Sequence, residues 1–313
     1  MPSRARARIL TALAATAAAA VMLAGCAGGG GSASGGSGAP DPQAKLVVGS
    51  SNEPTTLDQV YGGGSGITEV FTGNVYEGLF RITDDATVQP LLAKTTKVSD
   101  DGLVYTFTLQ DATFHSGRKL TAADVKYSLD RFIGKDSVAA RKRQLSVIDH
   151  VDVVDDHTVA VHLKQRSISF TYNLGYVWIV DSKAGDLTAK EDGTGPYRMT
   201  DYRKGDSITL AVNKDYWGAK PKNGGVVYQY YADPTALNNA LLTGAVDVVT
   251  GQSDPDTLDQ FKAAGDTIIE GTSTTKDLLA FNDRVAPFND VRVRKAIYSA
   301  IDRKKLLDSI WDG

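Results

Sequence analysis

Apolar residues in this chain recur at two different periods, and the repeated switch between them limits the fold more than any other feature. Tyr105, Phe107 and Leu109 alternate with Thr106 and Thr108, the period of a strand with one buried face. Farther on, Val125, Leu129, Phe132 and Ile133 share one face of a helix predicted over 122–133, with Thr121 as its N-cap. Asp101-Gly102 supplies turn chemistry for a hairpin over 95–109, and Asp155-Asp156 does so for a second over 151–163. Leu46-Val47-Val48-Gly49, 208–212 and 226–231 read as further strands, and 67–80 as a helix entering a turn. Asp233-Pro234 and Asp254-Pro255 each place a capping carboxylate before a Pro at the first helical position. Val293, Ala296, Ile297, Ala300 and Ile301 form an apolar stripe, and Asp302 caps a last helix carrying Leu306, Ile310 and Trp311. Strands interleaved with helices, with no internal repeat, predict an α/β or α+β protein. A length of 313 residues exceeds one comfortable core and predicts several subdomains.

Composition removes several classes. A hydrophobic fraction of 42% argues against wholesale disorder, and one Cys excludes an internal disulfide framework. A net charge of −3 provides no positive field for nucleic acid or acidic lipid.

The first segment reads as an address label rather than fold. Arg4, Arg6 and Arg8 form a basic n-region, followed by an Ala-rich apolar stretch over 9–23 that is too short to span a bilayer comfortably. Leu23-Ala24-Gly25-Cys26 resembles the lipobox of bacterial lipoproteins, in which the Cys is lipidated and becomes the mature N-terminus. Residues 1–25 are thus expected to be a signal peptide. Residues 26–42 are expected to be the lipidated Cys26 and a Gly/Ser-rich tether, too poor in large side chains to offset its ordering entropy. Removing the leader takes away three Arg and shifts the net charge from −3 to −6.

Catalytic chemistry is sparse. His157 and His162 lie five apart on one predicted strand, so they face opposite ways and cannot share a metal. No His-Glu-x-x-His or paired-Cys motif exists, and neither a metal nor a cofactor is expected. Ser65, set among Gly62, Gly63, Gly64 and Gly66, fits neither a nucleophile elbow nor a P-loop. The run reads as a mobile surface loop or as backbone that approaches a ligand closely. Gly193-Thr194-Gly195-Pro196-Tyr197 lacks the following helix of a dinucleotide site and reads as a structural turn joining two lobes. Tyr216-Trp217 reads as core, whereas Tyr176 and Trp178, two apart, share one strand face that a ligand or the core could use.

A series of strings, in order, resembles one family. They are Pro54-Thr55-Thr56-Leu57-Asp58, Val75-Tyr76-Glu77-Gly78-Leu79, Pro90-Leu91-Leu92-Ala93, Phe114-His115-Ser116-Gly117, Leu120-Thr121-Ala122-Ala123-Asp124-Val125, Gly193-Thr194-Gly195-Pro196-Tyr197, Asn213 with Tyr216-Trp217, and Val291-Arg292-Val293-Arg294-Lys295-Ala296-Ile297 with Ala300-Ile301-Asp302-Arg303. Together they are similar to the family 5 extracellular solute-binding proteins, the peptide/nickel class of ABC-importer receptors. The resemblance implies an α/β, two-lobed, periplasmic-binding-protein-like clamshell with a mixed α+β subdomain. Lobe I would hold residues 43–90 and 190–275, the inserted subdomain 91–189, and lobe II would begin at 276. It implies a monomeric receptor that captures peptides between its lobes and delivers them to a membrane permease, without catalysis. Gly64, Ser65, Gly66, Tyr176, Trp178, Gly251 and Asn282 would line the cleft, and no His pair stands ready for nickel.

Family members are much longer, so the chain is expected to be truncated at its C-terminus, with most of lobe II missing and 276–313 its beginning. Two rival readings remain. One is a sensor, adhesin or chaperone-like surface protein on the same scaffold. The other is a secreted hydrolase, for which His115 with Asp124 or Ser116 is the only local cluster.

Overall fold

The structure is a computed structural model that describes residues 41–252, 254–271 and 278–310. Cys26 and Trp311 lie outside the described residues. The chain begins with β1 (Lys45–Ser50) and α1 (Ser65–Phe71), followed by the short strands β2 (Phe80–Ile82) and β3 (Val88–Pro90). Next come β4 (Ala93–Val98), β5 (Val104–Leu109), α2 (Ala122–Ile133), α3 (Lys142–Leu145), β6 (Ile148–Asp155), β7 (Thr158–Leu163) and α4 (Phe170–Leu174). The remainder is β8 (Tyr197–Arg203), β9 (Ser207–Val212), β10 (Gly225–Tyr230), α5 (Pro234–Leu242), β11 (Val248–Val249), α6 (Pro255–Ala264), α7 (Val291–Ala300) and α8 (Arg303–Ile310).

Two larger sheets result. One has the order β11-β1-β10-β9-β8, with β1 parallel to β10 and β11 and the other pairs antiparallel. The second, β4-β5-β7-β6, is antiparallel throughout. Each has its own apolar core. Phe107, Leu109, Val159, Val161 and Leu163 of the second sheet pack with Val125, Leu129 and Phe132 of α2. Val48, Ile208, Leu210 and Val226 of the first sheet pack with Ile67, Val70 and Phe71 of α1.

Local chemistry sets the boundaries of these elements. In the β4–β5 turn, Gly102 takes φ +69° and the Asp101 carboxylate accepts from Leu103 N at 3.0 Å. At the start of α2, Asp124 Oδ2 accepts from the Thr121 backbone N at 2.9 Å and its hydroxyl at 2.8 Å. Asp233 caps α5 by accepting from Ala236 N at 2.8 Å. The helix expected over 67–80 is shorter. It ends at Phe71 because Asn74 Nδ2 donates to the open carbonyls of Glu69 and Val70 at 3.2 and 3.1 Å, and Gly73 turns the chain at φ +76°. Tyr176 and Trp178 lie on an irregular strap after α4 rather than on a strand. Val293, Ala296, Ile297 and Ala300 of the apolar stripe do lie on α7, with Ile301 just past its end, but no residue of that helix is buried. No helix among the described residues is long and apolar enough to cross a membrane.

Candidate functional site

A cleft of ≈ 750 Å³ opens where α1, the segment 139–141, the strap 176–178 and the residues after β11 meet. That volume suits a small organic ligand or a short peptide. Gly64, Ser65, Tyr176, Trp178 and Gly251, expected from the sequence to line one cleft, meet here. Gly66 and Asn282 do not line it. Gly66 sits in the first turn of α1, where a Cβ would stand 2.3 Å from Asn52 O, so its bareness lets that helix pack on the 52–53 backbone. Asn282 is exposed and accepts from Arg284 N at 3.2 Å. Gly64 adopts φ +116° at the entry to α1, which a side chain would strain.

Two charged residues that sequence reasoning missed give the cleft its polarity. Glu69, on α1, accepts from Ser50 Oγ at 3.1 Å and from Thr250 Oγ1 at 2.8 Å, so the ends of β1 and β11 hold it in place. Arg141 lies with its guanidinium 3.8 Å from the centre of the Tyr176 ring and 5.5 Å from that of Tyr172. Its neighbours Lys142 and Arg143 disguise it in the sequence as part of a solvated basic run. Trp178 is mostly core, stacked on Tyr76 at 4.6 Å and donating from Nε1 to Thr72 Oγ1 at 3.0 Å, so it offers the cleft only an edge. Gln59 clamps the strap, donating to Tyr176 O at 2.9 Å and accepting from Trp178 N at 2.6 Å. Burial, then the bond to Tyr172, holds the Tyr176 hydroxyl above its usual range, so it remains a donor at neutral pH. The cleft therefore offers one carboxylate, one guanidinium and an aromatic wall, a set that suits a zwitterion with an apolar body.

The Gly-Thr-Gly-Pro-Tyr string proves to be a seam between the two cores. A Cβ on Gly193 would stand 1.9 Å from Val75 O, and one on Gly195 2.3 Å from Asn74 O. Beside it, buried Glu77 accepts from Thr194 Oγ1 at 2.8 Å, Tyr216 OH at 2.7 Å and Trp217 Nε1 at 2.9 Å. Burial raises its pKa and those three bonds oppose the rise.

The same seam removes the hydrolase reading. His115 Nδ1 meets Glu191 Oε2 at 2.7 Å and its Nε2 meets Gly195 O at 3.0 Å. Both ring nitrogens are taken up by these two partners, and the Ser116 hydroxyl donates to Asp181 Oδ2 at 3.4 Å, not to the imidazole. Asp124 is spent on the α2 cap and on Arg118. The reading of the remaining His residues also needs correction. His157 lies in the β6–β7 turn, not on a strand, and His162 stands opposite His150 on the neighbouring strand. A His pair therefore exists that spacing along one strand could not reveal.

Residues 87–313 match the family described as Bacterial extracellular solute-binding proteins, family 5 Middle. The chain is 26% identical over 292 residues to the Oligopeptide-binding protein AppA of Bacillus subtilis (strain 168), which covers 88% of this chain and 53% of that protein. It is 30% identical over 256 residues to the Di/tripeptide-binding protein 2 of Pseudomonas aeruginosa (strain UCBPP-PA14), covering 72% and 48%. Among solved structures, AppA in complex with a nonapeptide superposes with a TM-score of 0.70 at 25% identity, covering 87% of this chain and 57% of that one. The PBP AgaA from A.tumefacien R10, in complex with agropinic acid, gives 0.74 at 30% identity, covering 86% and 56%. The chain spans about half the length of the curated relatives it matches. With a mixed α/β architecture, two cores joined at a seam and a cleft beside them, this chain belongs to the family 5 bacterial extracellular solute-binding proteins.

Proposed function

We propose that the protein captures short peptides outside the cell and presents them to the permease of an ABC importer, with no reaction of its own. The observation that carries this reading is the pairing of Glu69 and Arg141 on the walls of one aromatic cleft. A peptide with free ends presents an ammonium and a carboxylate, which these two groups complement, while Tyr176 and the edge of Trp178 pack its side chains. The peptide-binding relatives support the same class of ligand. On this reading the first sheet belongs to lobe I (43–90 and 190–275), the second forms the inserted subdomain (91–189), and 276–313 begins lobe II. The working protein is a monomer, held at the outer face of the membrane through lipid on Cys26 and a flexible tether. Ligand binding favours a closed state only through contacts that are better in that state.

The test is isothermal titration of the chain with trialanine, free at both ends, and with the same peptide acetylated and amidated. The free peptide should bind more tightly, and Arg141→Ala or Glu69→Gln should each weaken it by about tenfold or more, ~1.4 kcal/mol. Equal affinity for the blocked peptide, or binding of sugar acids with no binding of peptides, would overturn the reading.

A further inference from the structure

The outer face of the second sheet carries a cluster that the cleft does not use. His150 on β6 and His162 on β7 are register partners, and their rings stack with centroids 4.2 Å apart and planes 9° apart. Asp152, two residues along β6, places Oδ2 at 3.6 Å from His150 Nε2 and 3.2 Å from His162 Nε2. One nitrogen or oxygen atom from each of the three residues lies within 4.8 Å of the others.

An irregularity in the strand builds this arrangement. Side chains on a regular strand alternate, so Ile148 and His150 should share a face. Here the ladder slips between them: Ile148 pairs with Leu163 and His150 with His162, so β6 spends two steps where β7 spends one. The extra residue lets both Ile148 and Val151 enter the core, at 1% and 2% exposure, and turns His150 outward beside Asp152. Without the bulge, His150 would point toward α2 and the two imidazoles would lie on opposite faces of the sheet.

From this geometry we infer that His150, Asp152 and His162 form a surface binding site for a divalent transition-metal cation, with Zn²⁺ the best match. Two ligands about 2.0–2.1 Å from a tetrahedral ion stand about 3.3–3.4 Å apart, and the two nitrogen–carboxylate separations bracket that span. Two imidazoles and one carboxylate are a borderline donor set that suits Zn²⁺, and a water completes the fourth position. The outer partner is also in place. Asp149 Oδ2 lies 2.9 Å from His150 Nδ1, so a proton held there leaves the lone pair on Nε2, aimed at Asp152. His150 and Asp152 are exposed and His162 half-buried, so a cation reaches them from solvent, and binding turns the two rings out of their parallel stack so that both Nε2 lone pairs meet the ion. None of the three lines the cleft.

The experiment is titration of the chain, free of any His-tag and stripped with chelator, with ZnCl₂ by calorimetry, followed by titration with CoCl₂ by visible absorption. One equivalent of Zn²⁺ should bind, and Co²⁺ should give the intense d–d bands of a tetrahedral or five-coordinate site. His150→Asn, His162→Asn and Asp152→Asn should each abolish saturable binding, Asp149→Asn should weaken it about tenfold, and His157→Asn should leave it unchanged. All these side chains lie outside the cores, so circular dichroism should confirm that each variant is folded. The proposal fails if no saturable binding is seen, or if binding survives in the His150 and His162 variants. Peptide binding at the cleft is read separately, so failure of either proposal leaves the other standing.

Discussion

Glycine at 193 is a position where one added carbon has nowhere to go, since the carbonyl it would strike belongs to backbone rather than to a side chain that can swing away. Gly193→Ala should therefore cost about 1–3 kcal/mol, read as a lowered denaturation midpoint with unchanged slope. Beside it, Glu77 should leave a pH signature. Its carboxyl has an ordinary value near 4.5, and burial raises it in the folded protein. Between those two values the folded chain holds more protons than the unfolded one, so this group's contribution to stability falls as pH rises through the window. Glu77→Gln should flatten that part of the Tm-versus-pH curve. The amide can keep its carbonyl toward Thr194 and Trp217 and set its NH2 against the Tyr216 hydroxyl, which turns to accept, so the fold should be retained. An unchanged slope would show that Glu77 does not govern it. Residues of this kind were legible as motifs but not as chemistry. Gly193, Glu77 and Trp217 stood in separate strings, and only the fold brings them to one buried carboxylate. Glu69 and Arg141 carried no local signal at all, since a charge on a helix or in a basic run reads as solvated.

At the scale of elements, periodicity and capping succeeded where an element's own side chains decide its state. Both hairpins and α2 lie where alternation, the Asp101-Gly102 and Asp155-Asp156 turns and the Thr121 N-cap put them. Thr121→Ala should cost about 1 kcal/mol in chemical denaturation, since Asp124 loses the hydroxyl that steadies it at the helix start. Asp124 adds a term of opposite sign to that of Glu77. Burial pushes its carboxyl up, but the bonds from Arg118, Ser182 and Thr121 outweigh this and hold it below its ordinary 3.8. Stability from this group is present above that value and is lost as pH falls through the folded value. Asp124→Asn should therefore lose part of the wild-type sensitivity to strong acid. Sequence failed where a neighbouring strand or a remote side chain intervenes. Alternation along β7 rightly sends odd-spaced residues to opposite faces, yet it is blind to a bulge on β6 that delivers His150 across the ladder. The early end of α1 depends likewise on an Asn74 amide that no propensity scale would single out.

Over the whole molecule, order in the sequence proved a better guide than any single string, because motifs far apart converge on the seam and the cleft. The cleft draws on both cores, with Ile67 of α1 and Trp178 from one and Phe132 and Ala139 from the other. A peptide at a concentration 100 times its dissociation constant should stabilise the folded chain by about 2.7 kcal/mol, and a tenfold weakening by Arg141→Ala should remove about half of that shift in a thermal melt. The close passage of Gly193 and Gly195 over Asn74 and Val75 also bears on how the chain breathes. Gly195 N bonds Val75 O at 3.0 Å, Tyr197 N bonds Asn74 O at 2.9 Å, and His115 N bonds Gly193 O at 2.8 Å. With the two backbones in contact, solvent has no gap by which to loosen these bonds one at a time. Deuterium should reach those three amides only when the protein comes apart as a unit, and they should be among the last to exchange.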